Sequence, residues 1–434
     1  MKFRILCFSL LCMIAISFTA CSNNASDNDN VNNKPDSIAV PPVSPTSIAG
    51  LRCADPYGEG LASNSQGAYF TVLRPDGNLN IMYLDYSTGT EVYLCSQANC
   101  THDSEGCTSW IPSKSGLIPS LICTNDFLCV IGCGINDPTA SEGEYPYLEV
   151  MDLDGKNRKV VYRSSTPCEW QALINDDENF YTIEVSTCII DGQIENSSRL
   201  VRINLKSGIK EVLTDLSAEI EDASSVYVCD AIDNSIYFKS FVQQGDSYND
   251  IITNYYEINI LDSSITLLCS NSTPADTSYL LKNRKMYSAN ISTNQISEAD
   301  IGTGDTKIIT RDYAVNHAYS NPYIKNLIDN HLIVNSITDS GTDTAADCID
   351  VIDCSNGNVF QWPIYYEDSQ VEKKFPVNIA AEIEDKYVIK VAETVIAVTY
   401  NNENYAMSNP VYALISKDDF WNGNNNYQAF SIVN

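Results

Sequence analysis

Short runs of β-branched and aromatic residues, alternating with polar ones and broken by Asp, Asn and Gly, recur from about residue 60 to the end of the chain. Two-residue alternation is the signature of half-buried strands, and sustained 3.6-residue helical periodicity is hard to find. Seven runs can be aligned: Ala68-Tyr69-Phe70-Thr71-Val72, Phe127-Leu128-Cys129-Val130-Ile131, Phe180-Tyr181-Thr182-Ile183, Ile236-Tyr237-Phe238, Met286-Tyr287-Ser288, Leu332-Ile333-Val334 and Tyr387-Val388-Ile389. Taking Tyr69, Leu128, Tyr181, Tyr237, Tyr287, Ile333 and Val388 as equivalent gives spacings of 59, 53, 56, 50, 46 and 55 residues.

Each run is followed by a second signature, in which a strand meets Asp or Asn, a tight turn and another strand. Asp85-Tyr86-Ser87-Thr88-Gly89, Asp152-Leu153-Asp154-Gly155, Asn204-Leu205-Lys206-Ser207-Gly208, Asp300-Ile301-Gly302-Thr303-Gly304 and Asp353-Cys354-Ser355-Asn356-Gly357 are the clear copies. Residues 259–264 and 417–423 are degenerate ones. The glycine suits a hairpin position that requires positive φ. Units of about fifty residues holding roughly four strands each predict an all-β chain folded as a β-propeller. Seven blades fit the spacing, with six or eight as neighbouring solutions because the last two units are the least distinct. A pair of β-sandwiches is the competing architecture, which regular repetition disfavours. The hairpin segments, such as residues 152–161, resemble repeats of TolB-like propellers. Neither Trp-Asp dipeptides nor Asp-box patterns are present.

The repeat does not reach the N-terminus. Lys2 and Arg4 precede an apolar run over residues 5–18, and Thr19-Ala20 places small residues before Cys21. This is the layout of a secretory signal peptide, too short to span a bilayer comfortably. Phe18-Thr19-Ala20-Cys21 resembles the lipobox of bacterial lipoproteins, with Phe where Leu is more usual. That resemblance implies lipidation of Cys21, cleavage before it, and anchoring on the extracytoplasmic face of the cell membrane by two acyl chains. Residues 21–50 are rich in Asn, Ser, Asp and Pro and read as a flexible tether. The propeller is expected over 51–434.

Removing residues 1–20 changes the formal charge from −30 to −32, because Lys2 and Arg4 leave while all 56 acidic residues stay. Nucleic-acid binding needs the opposite balance. Of 16 cysteines, 13 lie beyond Cys21, an odd number that leaves at least one unpaired or bound to metal. Cys129, Cys188, Cys229 and Cys269 sit singly in apolar runs, where Cys serves as a small hydrophobe. So many thiols suit the surface of an anaerobe better than an oxidising periplasm.

One segment concentrates chemistry: Cys95, Cys100, His102 and Cys107 fall within 13 residues. Three thiolates and an imidazole form a donor set for tetrahedral zinc, here at a spacing unlike that of a zinc knuckle. The alternatives are a disulfide among them, with the third thiol free or paired to Cys123 or Cys133, or incidental loop cysteines. Similar segments occur in uncharacterised Cys-rich lipoproteins of Gram-positive anaerobes, a group without an assigned role. His317 and His331 read as ordinary surface or strand-edge residues.

Hydrolase elbows, metalloprotease pairs and phosphate loops are absent. Acidic groups at Asp176-Asp177-Glu178, at Glu219, Glu221 and Asp222, and at Asp418-Asp419 fall in predicted turns. They are candidates for the paired carboxylates of a glycoside hydrolase or lyase, and Asp152-Leu153-Asp154-Gly155 only weakly resembles a calcium loop. The expected function is therefore non-catalytic binding of a protein, peptide or glycan. A propeller glycosidase or lyase, or a structural or sensor subunit of a surface assembly, is the alternative.

Overall fold

The computed structural model describes residues 50–112, 118–190, 193–220, 226–243, 251–272, 277–290, 292–311, 313, 319–338, 346–368, 373–400 and 403–433. The expected signal peptide, Cys21, the expected tether up to residue 49, Glu221, Asp222 and His317 lie outside them.

The chain forms seven four-stranded antiparallel meanders in sequence order, the blades of a propeller. Blade 1 comprises Ala62–Ser63, Gly67–Leu73, Leu79–Asp85 and Thr90–Tyr93. Blade 2 is Ser120–Cys123, Phe127–Gly132, Tyr147–Asp152 and Lys159–Arg163. Blade 3 is Ile174–Asn175, Asn179–Ile190, Gln193–Asn204 and Lys210–Asp215. Blade 4 is Val226–Ile232, Ser235–Gln243, Ile251–Asn259 and Ile265–Ser272. Blade 5 is Thr277–Lys282, Lys285–Asn290, Gln295–Asp300 and Thr306–Thr310. Blade 6 is Tyr319–Ile328, His331–Thr338, Ala346–Asp353 and Val359–Gln361. Blade 7 is Asn378–Ile383, Lys386–Tyr400, Glu403–Ser416 and Gln428–Ala429. All seven aligned runs are the second strand of their blade.

The alternation in those runs places side chains on opposite faces, and both faces are covered by neighbours. Tyr69 of blade 1 packs with Leu128 and Met151 of blade 2. Ala68 and Phe70, on the other face, pack with Val388 and Tyr412 of blade 7. Clusters of the same kind join blades 2 and 3 around Trp170, 3 and 4 around Phe238, and 4 and 5 around Tyr255. Blades 5 and 6 meet around Leu332, and 6 and 7 around Trp362. The contact of blade 7 with blade 1 closes the ring. Phe430 joins that last cluster, and the C-terminal strand Ser431–Val433 adds in parallel to the outer strand of blade 1.

The segment 50–61 runs across the middle of this ring. Arg52 and Cys53 pair with Asn175 and Ile174 on the innermost strand of blade 3, and the Leu51 amide donates to the Asp233 carbonyl of blade 4. Farther on, the Pro56 carbonyl accepts from Asn326 of blade 6 and Tyr57 donates to Glu382 of blade 7. Glu59 pairs with Lys390 at 3.2 Å, and its carbonyl accepts from Tyr412. A stretch expected merely to begin the domain thus links four blades before entering the first.

The predicted turn glycines have positive φ: Gly89 +67°, Gly155 +82°, Gly208 +70°, Gly304 +75° and Gly357 +77°. Two expectations change. Residues 417–423 form a short helix, Lys417–Trp421, because Ser416 caps it by accepting from the Asp419 amide and Phe420 anchors it in the core. Cys188 is exposed, since it lies on the part of the blade 3 hairpin that runs past the core, while Cys129 is fully buried as expected. Among the described residues no helix is long and apolar enough to cross a membrane.

A methyl group at Gly208 would lie 1.9 Å from the Val161 carbonyl oxygen of blade 2, whereas at Gly304 it would meet nothing within 4 Å. Gly304→Ala should therefore cost about 1 kcal/mol, from the left-handed backbone alone. Gly208→Ala should cost about 3 kcal/mol, because a blade contact must also open. Chemical denaturation of the two variants checks this, and equal losses would contradict it.

Candidate metal centre

The outer strand of blade 1 is interrupted. Tyr93 pairs with Met82, and Trp110–Ile111 resumes the same antiparallel course against Asn80 and Leu79. Between them, residues 94–109 leave and return at one residue: the Leu94 amide donates to the Ile81 carbonyl at 3.0 Å, and the Ile81 amide donates to the Ser109 carbonyl at 2.7 Å. The excursion is pinched at its base, with Cys95 beside the exit and Cys107 beside the return.

Its apex folds back over that base. Asn99 and His102 both adopt positive φ, +58° and +56°. The Cys100 amide donates to the Gln97 carbonyl, the Cys107 amide to the Ser104 carbonyl, and the Gln97 side chain to the Gly106 carbonyl. The His102 ring stacks on Tyr93 at 4.1 Å between centroids. One ligand atom from each of Cys95, Cys100, His102 and Cys107 then lies within 4.8 Å of the others. Tetrahedral zinc, with bonds of about 2.3 Å to sulfur and about 2.0 Å to nitrogen, holds its ligand atoms about 3.5–3.8 Å apart, so the set fits after small side-chain movement. His102 Nδ1 is already 3.2 Å from Cys107 Sγ.

Protonation follows the same geometry. Burial, then the Arg74 guanidinium, hold His102 below the ordinary imidazole range against the opposing Asp103. The ring is thus neutral and able to ligate. Burial would raise Cys95, but hydrogen bonds from the Gln97 amide, Cys107, Cys100 and Thr108 outweigh it, and the thiol titrates below its usual value. Cys107, buried and sharing protons with the other two thiols, is pushed up to about 11 despite its bond with Ser109. A divalent cation would replace this shared-proton arrangement.

Cys95, Cys100, His102 and Cys107 are therefore brought together, in a loop that interrupts the outer strand of blade 1. Cys95, Cys100, Cys107, Cys123 and Cys133 are free thiols. Cys123 sits in the core between blades 1 and 2, and Cys133 packs with the core between blades 2 and 3. His331 stacks on Trp421 at 4.0 Å where blades 6 and 7 meet.

Of the flagged carboxylates, Asp176, Asp177 and Asp419 are committed to structure, whereas Glu178, Glu219 and Asp418 are exposed. Asp176, fully buried, accepts from the Glu178 and Asn179 amides and from Tyr181. Asp177 pairs with Arg52 at 2.7 Å, and the Asp419 carboxylate accepts from the hydroxyl of the capping Ser416. Sequence reasoning missed Asn80, Ser109 and Arg74. Asn80 is 1 % exposed and donates to both the His102 carbonyl and Ser109 Oγ. A single polar residue inside the apolar run Leu79–Asp85 was the signal that could have found it.

No protein-family model matches the chain, and no curated protein matches it. Solved structures similar in backbone course include an oligogalacturonate lyase in complex with manganese, 14% identical over 86% of this chain and 92% of that one, with a TM-score of 0.45. An oligogalacturonate lyase from Vibrio parahaemolyticus is 12% identical over 87% and 93%, with a TM-score of 0.46. The propeller domain of the trilobed protease from Pyrococcus furiosus is 9% identical over 88% and 97%, with a TM-score of 0.41.

In the metal-free protein near pH 8, iodoacetamide should modify Cys95 at least about tenfold faster than Cys107, since the thiolate is the nucleophile. Peptide mass spectrometry over a time course reads the order, and faster labelling of Cys107 would contradict the assignment.

Proposed function

We propose that this chain is a lipid-anchored, extracytoplasmic propeller that works by binding a protein, peptide or glycan, with zinc as a structural clip in blade 1. The observation that carries the non-catalytic reading is the closed donor set of the excursion. Four protein ligands leave a tetrahedral cation no position for substrate, whereas catalytic zinc keeps one open. The excursion also lies on the outer strand of a blade, away from the ring centre, where residues 50–61 cross. Beside that segment a depression of about 380 Å³ is lined by Arg52, Ser63, Asn64, Asn125, Glu382 and Glu384. Its mixture of amides, hydroxyls and both charges suits a polar ligand. The membrane anchor rests on the lipobox at Cys21.

Two measurements test the reading. The mature chain, purified without chelator, should carry about one zinc per molecule by elemental analysis, and Cys100→Ser with His102→Ala should lose it. A metal-free wild type with thiols missing from a free-thiol count would replace the clip by disulfides. Cells given labelled palmitate should label the full-length protein, and Cys21→Ala should abolish the label and release the protein from the membrane fraction. Turnover of an oligosaccharide that survives purification and vanishes with one carboxylate substitution would overturn the non-catalytic reading.

A further inference from the structure

The excursion is tied to more than its own blade. Arg74 Nη1 donates to the His102 carbonyl at 2.9 Å and to Asn80 Oδ1 at 3.2 Å. Asn80 Nδ2 donates to the same His102 carbonyl at 3.0 Å and to Ser109 Oγ at 2.9 Å, and that hydroxyl lies 3.0 Å from Cys107 Sγ. One buried amide and one guanidinium thus hold two of the four ligand residues.

Arg74 also opens the loop 74–78, where blade 1 meets blade 7. The Leu73 amide and carbonyl both pair with the Asn409 side chain, at 2.8 and 3.0 Å. The Pro75 carbonyl accepts from the Thr399 amide at 3.0 Å. A methyl group at Gly77 would stand 3.7 Å from the Thr399 carbonyl. This is the seam at which the ring closes, because every other blade contact joins consecutive stretches of chain, and here the first blade meets the last.

We propose that metal binding at Cys95, Cys100, His102 and Cys107 is transmitted through Asn80 and Arg74 to the blade 1–blade 7 seam, so that the site locks ring closure. The inference rests on the metal reading above. Without a cation, the apex carrying Cys100 and His102 is held to its base only by hydrogen bonds and the stack of His102 on Tyr93. When it moves, the His102 carbonyl leaves two donors that the interior cannot easily satisfy otherwise. Arg74 must then reorient, and its two chain neighbours, Leu73 and Pro75, carry the bonds to Asn409 and Thr399. With the cation in place, His102 is fixed, and so is the acceptor that orients Arg74. Supporting partners of this kind commonly change metal affinity by about 10–100-fold.

Hydrogen exchange read by mass spectrometry on the mature chain, zinc-loaded and chelator-stripped, tests the coupling. Zinc should slow exchange at least tenfold in peptides over 94–109 and also in those over 73–78 and 396–409. In Arg74→Ala, zinc should still bind at one per chain and protect 94–109, while its protection of 396–409 is lost. Unchanged exchange around Trp170 and Phe238 would show that this variant keeps its fold. Should it fail to fold, Arg74→Lys, which keeps the charge but not the planar fork, should lose part of the distant protection. Protection confined to 94–109 in the wild type, or full protection of 396–409 in Arg74→Ala, would overturn the coupling. Zinc failing to bind the wild type at all would instead remove the metal reading beneath it.

Discussion

A four-stranded sheet with apolar side chains on both faces can cover neither face by itself, and that constraint organises the molecule. Each blade must offer one face to the blade before it and the other to the blade after it. The chain meets the demand in sequence order, so Tyr69 turns toward blade 2 while Phe70 turns toward blade 7. Seven such interfaces complete a ring and leave no blade with an uncovered face. The exposed apolar residues that remain include Val160, Val212, Leu267 and Ile308 on outer strands, at the rim of the stack.

Closing a ring of consecutive units raises a problem that the repeat does not solve, since the first and last blades are joined by no short connection. The structure supplies several links at this place. Phe430 and Tyr412 of the C-terminal part pack on Phe70, and Ser431–Val433 extends the sheet of blade 1. Residues 50–61 add a crossing from blades 3 and 4 to blades 6 and 7. Its Glu59–Lys390 pair is partly buried, and burial pushes the Glu59 carboxyl up while Lys390 opposes that shift. The pair thus joins segment to blade without being a source of large net stability.

The excursion carrying Cys95, Cys100, His102 and Cys107 lies beside the same seam, joined to it by Arg74. Its base is held by the ladder of blade 1 at Ile81 and its apex by donors from Asn80 and Arg74, the latter preceding Pro75, whose carbonyl accepts from Thr399 of blade 7. Gly155 and Arg158 of blade 2 touch its other side, the latter donating to the Trp110 carbonyl. The excursion thus touches blades 1 and 2 directly and reaches blade 7 only through Arg74.

Much of this was legible in the residues. Alternation of period two located all seven second strands, and the Asp/Asn-to-Gly turns located most outer hairpins, because both are consequences of local backbone geometry. The spacing of Cys95, Cys100, His102 and Cys107 announced the donor set for the same reason: thirteen residues can fold back on themselves within one loop. What the sequence could not reveal is which surfaces meet. Residues 51–61 carry no motif that marks a crossing of the ring, the copy at 417–423 became a helix once Phe420 found a core to enter, and Asn80 looked like an interruption in a strand. Those outcomes depend on partners dozens to hundreds of residues away, such as Glu382 for Tyr57 or Asn409 for Leu73. Hydrogen bonds and packing at that separation exist only after the ring has closed, so periodicity determined the blades and tertiary contact alone decided the seam.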